Sequence, residues 1–208
     1  VNMDLKAFAD ETASESVAPG GGSISAYVGA LGVSLGTMVA NISSHRRKWD
    51  DRWEAFSVWA EKGQALKKTL LRLVDQDTQA FNRIIEAVRM PKGTDEEKAA
   101  RHTAMQEATK YAIEIPFQVM QQALASMEVI DKMAEIGNPN SISDAGVGAL
   151  CARAAVHGAF MNVRINAVDL EDKEWVANKI QAGSDMAAQA DAWEQKIRER
   201  VESAIQEG

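Results

Sequence analysis

From Ser16 to Ser44 the chain carries no charged side chain, and Arg46, Arg47 and Lys48 follow His45 directly. A stretch of that kind suits either the interior of a bilayer, with the basic residues at its cytoplasmic end, or the interior of a protein. The internal spacing chooses between them. Ile24, Val28, Leu31, Leu35, Met38 and Ile42 recur at steps of three and four as one apolar stripe, while Gly22, Ser25, Gly29, Gly32 and Gly36 form a second stripe of small residues. A helix with two such faces is packed on both sides, the small face permitting close backbone approach. In lipid a small-residue stripe can also be a dimerisation face, but the double pattern favours the central helix of a bundle outside the membrane. The partner of one face can belong to a second subunit.

The rest of the composition points the same way. Among 208 residues there are 34 alanines, four prolines, one cysteine and three histidines, with 30 acids against 23 bases for a net charge of -7. Alanine is the strongest helix former, and proline is scarce enough to leave long helices intact. A lone cysteine forms no internal disulfide, scattered histidines offer no zinc spacing, and the negative balance disfavours a surface that tracks nucleic-acid phosphates. Asp4, Lys6 and Asp10 break up the first ten residues, so no signal segment is read there and a cytosolic protein is expected.

Glycines and prolines divide the chain into about six helices in one domain spanning 1–208. The first runs from about Asp4 to Ser16. Pro19-Gly20-Gly21-Gly22-Ser23 is a turn into the uncharged helix, which ends near His45. A third helix spans roughly Asp50 to Val88 and stops at Met90-Pro91-Lys92-Gly93. Thr94 with Glu97 is a capping box opening a fourth helix, which Pro116 is expected to kink. After Gly137-Asn138-Pro139-Asn140, Ser141 with Asp144 looks like another capping start, leading to a helix that ends near Val168; a last helix runs from Glu171 towards Gln206. No period-two β-branched run occurs, so the expected fold is an all-α bundle of long helices.

One acid stands in the wrong place for a solvated residue. Leu66, Leu70, Leu73, Asp77, Phe81 and Ile84 recur at steps of four and three, so Asp77 lies within the core-facing stripe, whereas Asp75 points about 200° away. Desolvation raises a carboxyl pKa towards the range useful for proton transfer near neutral pH. The structural alternative is a core Asp tied up by Arg or backbone partners. The glycines before the second helix offer free N–H groups and the positive dipole end to an anion or a polar ring edge, or form only a tight turn and cap. Asn162 and Asn166, at i and i+4, suggest interhelical hydrogen bonds or ligand reading. Asp144 shares their face but lies about 27 Å from Asn162 along the axis, so the two cannot touch one reacting atom. Arg46, Arg47 and Lys48 either complement a helix C-terminus or anchor a carboxylate-bearing ligand. Trp49, Trp53 and Trp59 are read as packing residues and Cys151 as an inert core thiol.

Taken in order, Pro19-Gly20-Gly21-Gly22-Ser23, Asp75 to Phe81, Pro91 to Lys98, Gly137-Asn138 through Ser143-Asp144, and Asn162 to Asn166 resemble the motif series of the cyclodeaminase domain of formimidoyltransferase-cyclodeaminase. They are also similar to the stand-alone bacterial cyclodeaminases and methenyltetrahydrofolate cyclohydrolases of that family. The resemblance spans essentially the whole chain. It implies an all-α homodimer that binds tetrahydrofolate derivatives, with the active site near the subunit interface, and leaves open whether the substrate is polyglutamylated. The family's proton donor falls on Asp77, and Gly20, Gly21, Gly22, Ser23, Asn138, Asp144, Asn162 and Asn166 match pocket positions. No metal and no cofactor beyond the folate substrate is implied, nor any nucleic-acid or membrane partner. The chain shows no transferase domain, so substrate from histidine degradation is expected to arrive from a separate formimidoyltransferase.

The expected reaction is cyclodeamination of 5-formimidoyltetrahydrofolate, with Asp77 protonating the departing ammonia, glycine-loop N–H groups and Asn amides orienting the pterin, and the basic cluster holding the glutamate tail. Hydrolysis of 5,10-methenyltetrahydrofolate to the 10-formyl form is the alternative, since both reactions pass through a tetrahedral carbon between N5 and N10. A non-catalytic folate-binding helical module is the third reading. It predicts an ion-paired Asp77 with no pocket around it.

Overall fold

The computed structural model describes residues 3–207, apart from the side chains of Lys48 and Asp50. Six α-helices make up the described chain: α1 (Leu5–Thr12), α2 (Gly21–Ser44), α3 (Trp53–Arg89), α4 (Asp95–Ile136), α5 (Ile142–Asn166) and α6 (Lys173–Glu207), with short 3-10 turns before α3, α5 and α6 and no strand among the described residues. The first helix stops at Thr12, short of the expected Ser16, because Ser14 and Ser16 hydrogen-bond to nearby backbone and side-chain groups and compete with the helix. The start of α4 is as the sequence reads. Thr94 Oγ1 accepts from the Glu97 N–H at 3.2 Å while the Glu97 carboxylate accepts from the Thr94 N–H at 3.1 Å. Helix α5 begins differently: Asn138, not Ser141, supplies the side-chain cap, at a 3-10 turn over Pro139–Ser141.

Helix α2 runs through the middle of the bundle, packed on α3, α4 and α5. It passes the length and hydropathy test for a membrane span, yet most of its apolar window is buried inside the protein. Its neighbours follow from paired close contacts. Gly22 lies by Asp77 and Gly29 by Leu70, so α3 is antiparallel to it; Gly29 lies by Ala155 and Gly32 by Gly148, so α5 is antiparallel as well.

Of the two faces expected to be packed, α2 buries the small one fully within the chain and the large one only in part. Gly22, Ser25, Gly29, Gly32 and Gly36 are buried, whereas the large stripe of Ile24, Val28, Leu35, Met38 and Ile42 is only half-buried and Leu31 is 45% exposed. Helix spacing is set by the side chains at the contact. A Cβ on Gly32 would lie 2.8 Å from the Gly148 carbonyl oxygen, so this pair of helices approaches to a distance that only the small face permits. The large residues are left outside, where Ile24 and Val28 line a shallow depression with Met161 of α5, and Val147, Leu150 and Ile165 of α5 are also exposed.

Helix α6 closes the bundle against α4 and α5. It is pinned by polar as well as apolar contacts: buried Asp131 accepts from Lys196 Nζ and Arg200 Nη1, both at 2.8 Å, and Lys179 Nζ lies 2.7 Å from Glu114 and 3.9 Å from the Phe117 ring centroid.

Candidate active site

Asp77 sits on α3 one turn beyond Leu73 and Val74, which are buried in the main core. The register therefore brings its carboxyl to the edge of the core, where α2 begins. There Ser23, itself fully buried, donates its hydroxyl to Asp77 Oδ2 at 2.7 Å. Burial pushes the Asp77 carboxyl above the ordinary range, and the side-chain and main-chain hydrogen bonds from Ser23 pull it partly back. No ion pair of Asp77 is found among the described residues, so the Arg partner of the structural alternative is absent, whereas its backbone partner is present in the Ser23 main chain.

Gly22 makes this approach possible. A Cβ there would overlap the Asp77 carboxyl oxygens. The glycines are thus less a loop than a helix start: Gly20 is the N-cap, has no side chain to cap the first turn, and Gly21 and Gly22 are already helical. The Ser23 main chain bonds to the Asp77 carboxyl, while the backbone of Gly20, Gly21 and Gly22, at the positive end of the helix dipole, borders open space.

That space is a cavity of about 240 Å³. Gly20, Gly21 and Gly22 form one wall, Asp77, Thr78, Ala80, Phe81 and Ile84 of α3 a second, and Ala112, Asn162 and Asn166 a third, with Val17 and Ala18 at its edge. Asp77 is the single titratable side chain among these lining residues. Both Asn side chains are tethered through nitrogen: Asn162 Nδ2 donates to the Gly158 carbonyl and Asn166 Nδ2 to the Ala112 carbonyl, each at 2.9 Å. A second recess of about 440 Å³, between α1 and α3, shares Ala18 and Thr78 with the first. Together they reach the roughly 300–1,000 Å³ usual for small-molecule sites.

The structure separates the remaining site residues proposed from sequence. Ser23 lies behind Asp77 rather than on the cavity wall. Arg46 and Arg47 stand past the C-terminus of α2, about 36 Å of helix from Gly21, and the side chain of Lys48 lies outside the described residues; within one chain the basic cluster does not reach the cavity. Asn138 is at that same far end, where its N–H donates to Ser43 Oγ at 2.9 Å and its Oδ1 accepts from the Asn140 N–H at 3.2 Å. Asp144 occupies the first turn of α5, the opposite end from Asn162, and lines none of the cavities described. Among the described residues no group of three or more His, Cys, Asp or Glu is placed to hold a metal ion.

Sequence reasoning did not single out Thr78 or Ala112. Thr78 follows Asp77 on the same helix and was within reach of the argument; Ala112 belongs to α4, and only Pro116, four residues on, signals that its carbonyl is unusual. Cys151 is half-buried beside Gly32, and burial raises its thiol pKa. Of the tryptophans, Trp49 is buried in a small satellite core with Phe56, Ala60 and Met133, while Trp53 is exposed.

Comparison with known proteins adds to this geometry. The family described as Formiminotransferase-cyclodeaminase matches residues 4–185. Over 204 residues the chain is 35% identical to the methenyltetrahydrofolate cyclohydrolase of Methylorubrum extorquens, with 98% of each protein covered. It is 31% identical over 207 residues to the formimidoyltransferase-cyclodeaminase of Rattus norvegicus, all of this chain matching 35% of that longer protein. Among solved structures, the formiminotetrahydrofolate cyclodeaminase of Thermotoga maritima superposes with a TM-score of 0.86 at 25% identity, covering 98% of both chains.

Proposed function

Because the chain belongs to the formiminotransferase-cyclodeaminase family, we propose that it catalyses the cyclodeamination of 5-formimidoyltetrahydrofolate, with Asp77 as the proton donor. The observation that carries this reading is the buried Asp77 carboxyl, held by Ser23, as the lone titratable group on the cavity wall. In the reaction N10 attacks the formimidoyl carbon, a tetrahedral centre forms between N5 and N10, and the N10 proton is transferred to the former imine nitrogen, which becomes an amino group. The amino group then departs as ammonia only after gaining a proton. A carboxyl whose pKa is raised by burial carries that proton to higher pH than a solvated one, and proton transfer from a positioned acid is worth about 10²–10⁴-fold in rate. Once the proton is given up, the Asp77 carboxylate stands beside a product that has become a methenyl cation, so the charge created by the step is compensated where it arises.

The cavity walls suit a pterin. First-turn N–H groups at Gly21 and Gly22 offer donors, the two Asn side chains offer amide oxygens, and Phe81 and Ile84 offer apolar surface to a flat ring. Methenyltetrahydrofolate cyclohydrolase is the second reading. It is favoured by the full-length match to the Methylorubrum extorquens enzyme. In that reaction water adds to the same bridging carbon and the ring opens to 10-formyltetrahydrofolate. The two are separated by offering the purified protein each folate, following ammonia release and methenyl absorbance. Ammonia release with methenyl formation is expected; ring opening with no turnover of the formimidoyl substrate would reverse the choice.

The reading includes a homodimer formed through the α2–α5 surface. Leu31, Val147, Leu150 and Met161 are each at least 45% exposed there, beside the half-buried Ile24 and Val28. A contiguous apolar surface of this kind marks an interaction site. Leu31→Asp is expected to shift sedimentation from dimer to monomer, and a wild-type monomer at micromolar concentration would refute the interface.

A further inference from the structure

Asn166 stands in the last turn of α5, and its Nδ2 donates to the Ala112 carbonyl of α4 at 2.9 Å. In an uninterrupted α-helix that carbonyl would accept from the N–H of residue 116. Residue 116 is a proline in the interior of α4, buried and set back from the cavity walls. Proline has no N–H, and its ring crowds the carbonyl four residues before it. The helix continues through Pro116 all the same, leaving the Ala112 carbonyl without its usual partner, and Asn166 takes that place.

This bond fixes how the Asn166 amide is turned, leaving Oδ1 and the second Nδ2 hydrogen uncommitted. A side-chain amide is planar, so committing Nδ2 to Ala112 also sets the direction of Oδ1. That oxygen bonds to no described residue, and no fully buried side-chain nitrogen or oxygen among the described residues lacks a partner. Oδ1 therefore borders open space, which for this residue is the cavity it lines. Asn162, one turn earlier, is tethered through its own Nδ2 to Gly158 and leaves its oxygen without a described partner in the same way.

We propose that Pro116 is a positioning residue: by leaving the Ala112 carbonyl open to Asn166 it holds the Asn166 amide oxygen towards the cavity, where it accepts from an N–H-bearing edge of a heterocycle. The amino and ring N–H groups of a 2-amino-4-oxopyrimidine edge, as in a pterin, have the required chemistry. The identity of the ligand rests on the folate reading above; the relay from Pro116 to Asn166 does not. An acceptor held in this way discriminates by leaving itself unpaired when the ligand lacks its donor.

Two measurements on the intact protein test the two halves. In a ligand-free thermal cycle, Asn166→Ala is expected to lower Tm by about 2–6 °C, the loss due to an unpaired carbonyl in a chain of this size. In a Pro116→Ala background, where the restored N–H satisfies Ala112, the same substitution is expected to cost less than half as much. Equal losses in both backgrounds overturn the relay. Kinetically, Pro116→Ala is expected to raise KM for whichever folate is turned over by about 2–10-fold, the affinity equivalent of one hydrogen bond, with kcat and Tm held or raised. An unchanged KM, or a KM increase that simply multiplies with that of Asn166→Ala, overturns the ligand half. Turnover of neither folate by the wild-type protein would sink the ligand assignment together with the functional reading, while the thermal cycle still decides the relay.

Discussion

The two ends of α2 each carry a buried serine and end up with opposite characters. At the Ser44 end, polar groups satisfy one another: Ser43 Oγ donates to the Val39 carbonyl at 2.7 Å and accepts from the Asn138 N–H, and Asn138 caps the turn that follows it. Val39 and Ala40 there join Trp49, Phe56 and Met133 in a closed satellite core. At the Gly21 end the N-cap residue has no side chain, Asp77 has the Ser23 hydroxyl and main chain as partners but no cation, and the walls enclose a cavity. Both ends contribute segments from which the family resemblance was read, so a polar residue within such a segment does not by itself indicate a ligand. What separates the ends is whether the hydrogen-bonding demand is met locally.

Substitutions at the two ends should differ in kind as well as size. Asp77→Asn is expected to reduce ammonia release by about 10²–10⁴-fold while the protein folds normally; near-normal turnover would remove Asp77 from the chemistry. The same variant has a stability signature. The folded-state pKa of Asp77 lies above the unfolded one, so the native state holds the extra proton and the wild type loses stability as pH rises between the two values. Denaturant titration across that range should show the decline in the wild type and its reduction in Asp77→Asn.

Gly22→Ala is expected to come next. Its methyl group would meet the Asp77 carboxyl and displace it from its place against α2, at a cost of about 1–3 kcal/mol in stability and at least a tenfold loss of kcat/KM. Ser23→Ala sharpens the picture more gently. Removing hydrogen bonding that holds the Asp77 pKa down should move the alkaline fall of the pH–rate profile to higher pH, whereas a shift to lower pH would contradict the proton-donor role. The smallest functional effect belongs to the other end: Asn138→Ala is expected to lose about 1 kcal/mol as a capping residue and to keep kcat/KM within about twofold. A large kinetic defect there would show that the far end takes part in the site after all, for example across a dimer.

Much of this was legible without coordinates. The spacing from Leu66 to Ile84 singled out Asp77 over Asp75, because the helical period fixes which residues share a face whatever lies opposite. The same reasoning brought Asn162 and Asn166 to one side of α5, and the Thr94–Glu97 capping box located the start of α4. The role of Ser23 was not legible: nothing in its neighbourhood shows that its hydroxyl meets a carboxyl fifty-four residues away along the chain. The basic cluster likewise resembles an anion anchor until the length of α2 is laid between it and the cavity.

By itself, then, the sequence determined the helices, their order, the two faces of α2 and the acid that breaks the apolar stripe of α3. Those properties depend on backbone geometry that repeats every few residues. Only the tertiary structure decided which face of α2 turned inward, which carbonyl received Asn166 and which end of the bundle stayed open. Each of these was settled by side-chain volumes and unpaired polar groups on segments distant in sequence, where Gly32 meets Gly148 and Pro116 leaves the Ala112 carbonyl to another helix.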